Sequence, residues 1–154
     1  MKRLIAASAL ALLALNLIGA VESFGNARAE NRVLIAKENT RYKSRLIDTL
    51  IEKLDDGTVA ITVADHQRGE LDGLNPRDFD AVFITNSGAQ AKVRPDVMRW
   101  LNANSANDDN VVLHTTQITD WDPPVQVDSI TSASKNSNID DISDDIIRRI
   151  RLFF

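Results

Sequence analysis

Arg32-Val33-Leu34-Ile35-Ala36 is a short, unbroken apolar run. Such a run, with no polar residue alternating through it, reads as a strand covered on both faces, as in a parallel sheet. Ala81-Val82-Phe83-Ile84 and Val111-Val112-Leu113-His114 repeat the pattern. The segments between them have a different period. Residues 42–54 place Leu46, Ile47, Leu50, Ile51 and Leu54 at helical spacing, and Asp55-Asp56-Gly57 ends the helix with a glycine suited to the left-handed position. Residues 58–64 alternate, with Val59, Ile61 and Val63 on one side, which predicts a strand at a sheet edge. Residues 65–80 are polar and broken by Gly69, Gly73 and Pro76, and read as a loop. Pro95 opens a second helix, turning Val97, Met98, Trp100 and Leu101 inward. A weaker strand, 125–130, follows the Asp122-Pro123-Pro124 break. The last helix, 139–152, carries Ile139, Ile142, Ile146, Ile147 and Ile150 on one face. Its Asp140 and Asp141 lie near the positive end of the helix dipole, and Arg148, Arg149 and Arg151 near the negative end.

Strands alternating with helices imply right-handed parallel crossovers and a three-layer α/β domain. With the alternating second strand at the edge and the unbroken runs inside, the expected sheet order is 2-1-3-4-5. Residues 115–124 are too few for a full crossover helix, so a fourth helix is expected to be reduced or missing.

The chain has 154 residues. It opens with Lys2-Arg3, an apolar run over 4–21 and a polar stretch ending Ala27-Arg28-Ala29. A basic region, an apolar region and an A-x-A site in that order read as a secretory signal peptide, 1–29, cut after Ala29. The alternative is an uncleaved anchor, since the run is near the lower limit of about 18 residues for a spanning helix. The expectation is one domain, 30–154, periplasmic or secreted, with no stable membrane span after cleavage. Cysteine is absent, so lipid attachment through Cys and disulfides are both excluded. The formal net charge is −4, which argues against general nucleic-acid or anionic-membrane binding.

Several stretches resemble flavodoxins. Val33-Leu34-Ile35-Ala36 followed by Glu38-Asn39-Thr40-Arg41-Tyr42-Lys43-Ser44 resembles the first strand and phosphate loop of that family. Pro76-Arg77-Asp78-Phe79-Asp80-Ala81-Val82-Phe83-Ile84 resembles the approach to its third strand, and Pro95-Asp96-Val97-Met98-Arg99-Trp100-Leu101 the helix that follows. The resemblance implies a flavodoxin-like fold that binds FMN or a related phosphorylated ligand at the carboxyl edge of the sheet, with electron transfer where the ligand is a flavin. Carried over onto this chain, Thr40, Arg41, Lys43 and Ser44 would hold the phosphate, and Asn86, Ser87, Gly88 and Trp121 would flank the ring. The chain departs from the family at Arg41, where the loop usually has Gly, and at Lys43, where it usually closes with Thr.

Each strand is followed by hydroxyl or amide residues, among them Thr85, Asn86, Thr115, Thr116, Thr131 and Ser132. The same loops carry Lys37, Arg41, Lys43, Lys92, Arg94 and Lys135, a local basic concentration that favours a small anionic ligand. Many of these hydroxyls serve equally well as helix caps, Ser137 or Asn138 before the last helix being one. His66, His114, Asp65 and the Asp120-x-Asp122 pair match no metal-site spacing, so no metal is expected. No G-x-S-x-G elbow is present. Two further readings stand beside the flavin one. One is a cofactor-free binding or accessory protein with a protein partner. The other is a hydrolase or transferase using the same edge.

Overall fold

Side chains that lie between two helical layers lose all contact with water, and this is the fate of the unbroken runs. Val33 to Ala36, Ala81 to Ile84 and Val111 to Leu113 are fully buried in the computed structural model, which describes residues 21–119 and 121–154. In chain order the elements are β1 (Glu22–Gly25), β2 (Asn31–Lys37), α1 (Arg41–Leu54), β3 (Val59–Asp65), β4 (Ala81–Ser87), α2 (Pro95–Asn104), β5 (Val111–Thr116), β6 (Asp128–Ser132) and α3 (Ile139–Ile150). The fold is α/β, with one six-stranded, mostly parallel sheet.

The sheet runs β1-β3-β2-β4-β5-β6. All neighbouring pairs are parallel except β1 with β3. Helices α1 and α3 cover one face, where Leu46, Leu50, Ile146 and Ile150 meet Val33, Ile35, Phe83 and Val112. Helix α2 covers the other, where Val97, Trp100 and Leu101 meet Leu34, Val82, Ile84 and Leu113. Each fully buried Leu, Ile or Phe contributes ~1.5–3 kcal/mol, and the two apolar stripes fix which way each helix faces. Between β5 and β6 there is no helix among the described residues.

Strand β1 departs from the expectation. The sequence reading placed residues 58–64 at the edge of a five-stranded sheet, but β3 is covered by β1, from Glu22↔Val63 to Gly25↔Ala60. An uncovered β3 would leave a row of backbone donors and acceptors unpaired, and β1 satisfies them. Phe24 packs against the α1–α3 core. Gly25 sits at φ +72°, where a Cβ would come within 2.4 Å of the Val59 carbonyl oxygen. Asn26 donates from its backbone to Val59 O at 3.1 Å and from its side chain to Gly57 O at 3.0 Å.

Residues 1–20 of the expected signal peptide lie outside the described residues, whereas a cut after Ala29 would remove β1. A chain starting at Glu30 is therefore expected to lose ~2–3 kcal/mol relative to one starting at Val21, from Phe24 burial and the lost ladder bonds. Urea unfolding of the two chains measures the difference. Equal midpoints would mean that β1 adds nothing to the fold.

Candidate functional site

Parallel pairing brings the carboxyl ends of the strands to one edge, and register aligns Ser87 with Thr116 and Thr116 with Ser132. Side chains along a strand alternate faces. Phe83 and Val112 belong to the α1–α3 core, so Ser87, two pairs further along β4, and His114, one pair further along β5, share that face. Lys43 in the first turn of α1 meets them there.

Lys43 is 1% exposed. Its ammonium forms an ion pair with the equally buried Glu38 and donates to Ser87 Oγ at 2.8 Å. The other oxygen of Glu38 accepts from the Arg94 guanidinium at 2.5 Å. Glu38 is fixed from behind as well, its backbone N–H donating to Thr85 Oγ1 at 2.9 Å. Burial pushes the Glu38 carboxyl up, but hydrogen bonds from Lys43, Ser87 and Arg94, with the Lys43 charge, hold it below its ordinary value. Burial pulls Lys43 down to about 8, with Glu38 opposing and the Arg94 charge assisting.

The residues named from the sequence separate into groups. Thr40 caps α1, its Oγ1 accepting from Lys43 N at 3.3 Å and its carbonyl from Ser44 N at 2.8 Å. Ser44 is half-buried in that first turn, and Arg41 is exposed. Lys43 and Ser87 are brought together. Asn86 is buried and braces the next loop, accepting from Arg94 N at 2.8 Å and donating to Thr115 Oγ1 at 3.2 Å. Gly88 lies against β5, where a Cβ would come within 2.9 Å of Thr115 Cγ2. Trp121 packs on the α2 core, on the opposite face from Lys43. The Lys43 and Arg94 cations that a phosphate would need are paired with Glu38.

Arg94 and Ser132 were read from the sequence as part of the polar edge, but Glu38 and His114 were given no role there. The visible signal was an acid closing a buried strand, five residues before a lysine in the next helix. His114 is fully buried, stacks on Phe83 and lies 2.8 Å from Ser132 Oγ through Nε2, while its Nδ1 has no hydrogen-bond partner among the described residues. Burial, aided by the Lys43 charge, depresses His114 to about 4. Tyr42 donates to Asn138 Oδ1 at 3.3 Å. His66 joins α2 to the sheet, with Nε2 donating to Thr85 O at 2.8 Å and Nδ1 at 2.5 Å from Asp96.

Beside this cluster a groove of about 580 Å³ opens between the loops after β4, β5 and β6. Ser87, Ala89, Gln117, Ile118, Ala133 and Lys135 line it. Among the described residues, no group of three or more His, Asp or Glu is placed to hold a metal ion. Likewise no described helix is long and apolar enough to cross a membrane. Compared with known proteins, the chain matches no family model and no curated protein.

Proposed function

We propose that this protein is an exported, periplasmic or secreted binding protein on a flavodoxin-like fold that works without FMN. Its ligand is a small molecule seated in the groove between the β4, β5 and β6 loops. The observation that carries the reading is Glu38. An internal carboxylate sits between Lys43 and Arg94 at the loop where a flavodoxin-like protein would hold its phosphate. Anion sites at such loops work by pairing a bound anion with nearby cations and free backbone N–H groups. Here Glu38 supplies the anion, Thr40 Oγ1 is occupied by Lys43 N, and Arg41 brings a Cβ where a glycine would let the backbone close on a phosphate. The flavodoxin-like assignment is supported by the parallel strands. With β1 set aside and the remainder renumbered along the chain, their order is 2-1-3-4-5. Lys135 at the groove suits a ligand with an acidic end, and Ala89, Ile118 and Ala133 suit an apolar body.

The second reading is an FMN protein with a redox partner. It would need Glu38 to swing out so that Thr40, Arg41, Lys43 and Ser44 could take the phosphate, and Trp121 to turn from the α2 core toward Asn86, Ser87 and Gly88. The hydroxyl-rich edge favours it. The visible spectrum of the purified exported chain, before and after adding FMN and removing the excess, separates the two. The expected result is a colourless protein that leaves FMN fluorescence unquenched. A retained flavin spectrum would overturn the cofactor-free reading.

A further inference from the structure

The geometry points to Ser87 as a nucleophile and Lys43 as its general base, a serine–lysine pair that cleaves small esters by acyl transfer in the groove. This rests on the reading of the edge as free of flavin.

Three features support it. First, Ser87 joins the buried cluster to the groove. It lines the groove and its Oγ lies 2.8 Å from Lys43 Nζ, within the reach that proton transfer requires. Second, Lys43 is prepared as a base. It is buried, which disfavours its charged form, and its value of about 8 leaves a neutral fraction that grows steeply above pH 7. Glu38, anchored by Arg94, points the amine at Ser87 and is a positioning residue. Third, the chain turns sharply after Ser87. Gln90 and Ala91 hold φ of +60° and +52°, a region that residues other than glycine rarely adopt and that recurs at functional sites. Ala89, the groove residue two positions after Ser87, offers its backbone N–H as the donor for a developing oxyanion.

Ser132 with His114 is the rival pair. It falls short because Ser132 is not among the groove-lining residues, no carboxylate among the described residues orients His114 Nδ1, and a histidine at about 4 is a weak base.

In the first half-reaction Ser87 Oγ gives its proton to neutral Lys43 and bonds to the ester carbonyl carbon. The carbonyl electron pair moves onto oxygen, on the side of the Ala89 N–H. When the carbonyl re-forms, the bond to the leaving oxygen breaks, and that oxygen takes the proton from Lys43. Water then attacks the acyl-serine and gives its proton to Lys43. The Ser87 C–O bond breaks and Oγ recovers the proton, releasing the acid. The apolar wall of Ala89, Ile118 and Ala133 suits a short acyl chain.

The test is labelling with an alkyl fluorophosphonate, read by intact mass and peptide mapping, together with p-nitrophenyl butyrate hydrolysis. The expected result is a single adduct on Ser87, forming about tenfold faster at pH 9 than at pH 7 as Lys43 loses its proton. Ser87→Ala should abolish both adduct and hydrolysis. Glu38→Gln should move the midpoint of the pH profile to lower pH, which a merely structural role would not do. Should that variant fail to fold, the wild-type pH profile still decides. A folded protein with no Ser87 adduct at pH 9, an adduct on Ser132 instead, or a Ser87 rate flat from pH 7 to 9 would each overturn the proposal. FMN titration of the same sample keeps the readings apart. A chain that takes neither FMN nor probe loses only the catalytic proposal, whereas one that takes FMN loses both.

Discussion

Replacing Glu38 by Ala is expected to cost ~3–5 kcal/mol of folding stability at pH 7, the penalty for breaking a buried ion pair by removing one partner. The size follows from burial. Both side chains are 1% exposed, so Lys43 would be left with a charge shielded from bulk solvent and with Ser87 Oγ, at 2.8 Å, as its partner. Arg94, whose side chain is 40% exposed, can turn to solvent and adds little to the loss. The pH dependence identifies the cause. Lys43 titrates at about 8 in the folded protein against 10.5 for the free group. Between those values the unfolded chain binds a proton that the folded chain does not, so stability rises with pH there. Without Glu38 the depression deepens, and a neutral Lys43 needs no counter-charge. The deficit of Glu38→Ala should therefore shrink as the pH is raised from 7 toward 10. Urea unfolding at several pH values measures it. A loss under about 1 kcal/mol at pH 7, or one unchanged up to pH 10, would mean that water reaches the pair.

The second large effect is acid lability centred on His114. Its folded-state value of about 4 lies well below its ordinary 6.5, because burial disfavours the imidazolium and the Lys43 charge adds to the effect. A base whose value is depressed on folding contributes stability that is complete above 6.5 and lost as the pH falls toward 4, where the unfolded chain gains the proton first. At ~1.4 kcal/mol per unit the loss comes to about 3 kcal/mol. His114→Leu preserves an apolar contact with Phe83, and the half-buried Ser132 can bond to water. That variant should show a pH slope between 6.5 and 4 shallower by one proton. Parallel slopes for the two proteins would place the acid sensitivity elsewhere, Glu38 being the next group to examine.

How much of this was legible beforehand depends on the range of each signal. The strands at Val33, Ala81 and Val111 and the helices at Leu46, Val97 and Ile146 were readable because period and burial are local properties. An unbroken apolar run needs cover on both faces, and a stripe at helical spacing needs cover on one. The α/β class followed from their alternation. Strand β1 was hidden because four residues, Glu-Ser-Phe-Gly, are too short to carry a period, and they sit in a stretch whose composition reads as a cleavage region. Thr40, Lys43, Asn86, Ser87 and Gly88 were singled out by the resemblance to flavodoxins, which places them in the loops after strands. That reading assigned Lys43 to an external anion, whereas it pairs with Glu38.

What the sequence determined by itself is therefore the main strands and helices apart from β1, and the faces they bury. Only the tertiary structure decided that Glu38 pairs with Arg94, 56 residues away, and that Lys43 reaches Ser87, 44 residues away. An ion pair at such separation exists only when parallel pairing and helix packing bring both ends of the strands to one place. Once there, exclusion of water makes a buried charge too costly to leave unpaired, and that cost selected Glu38 as the partner.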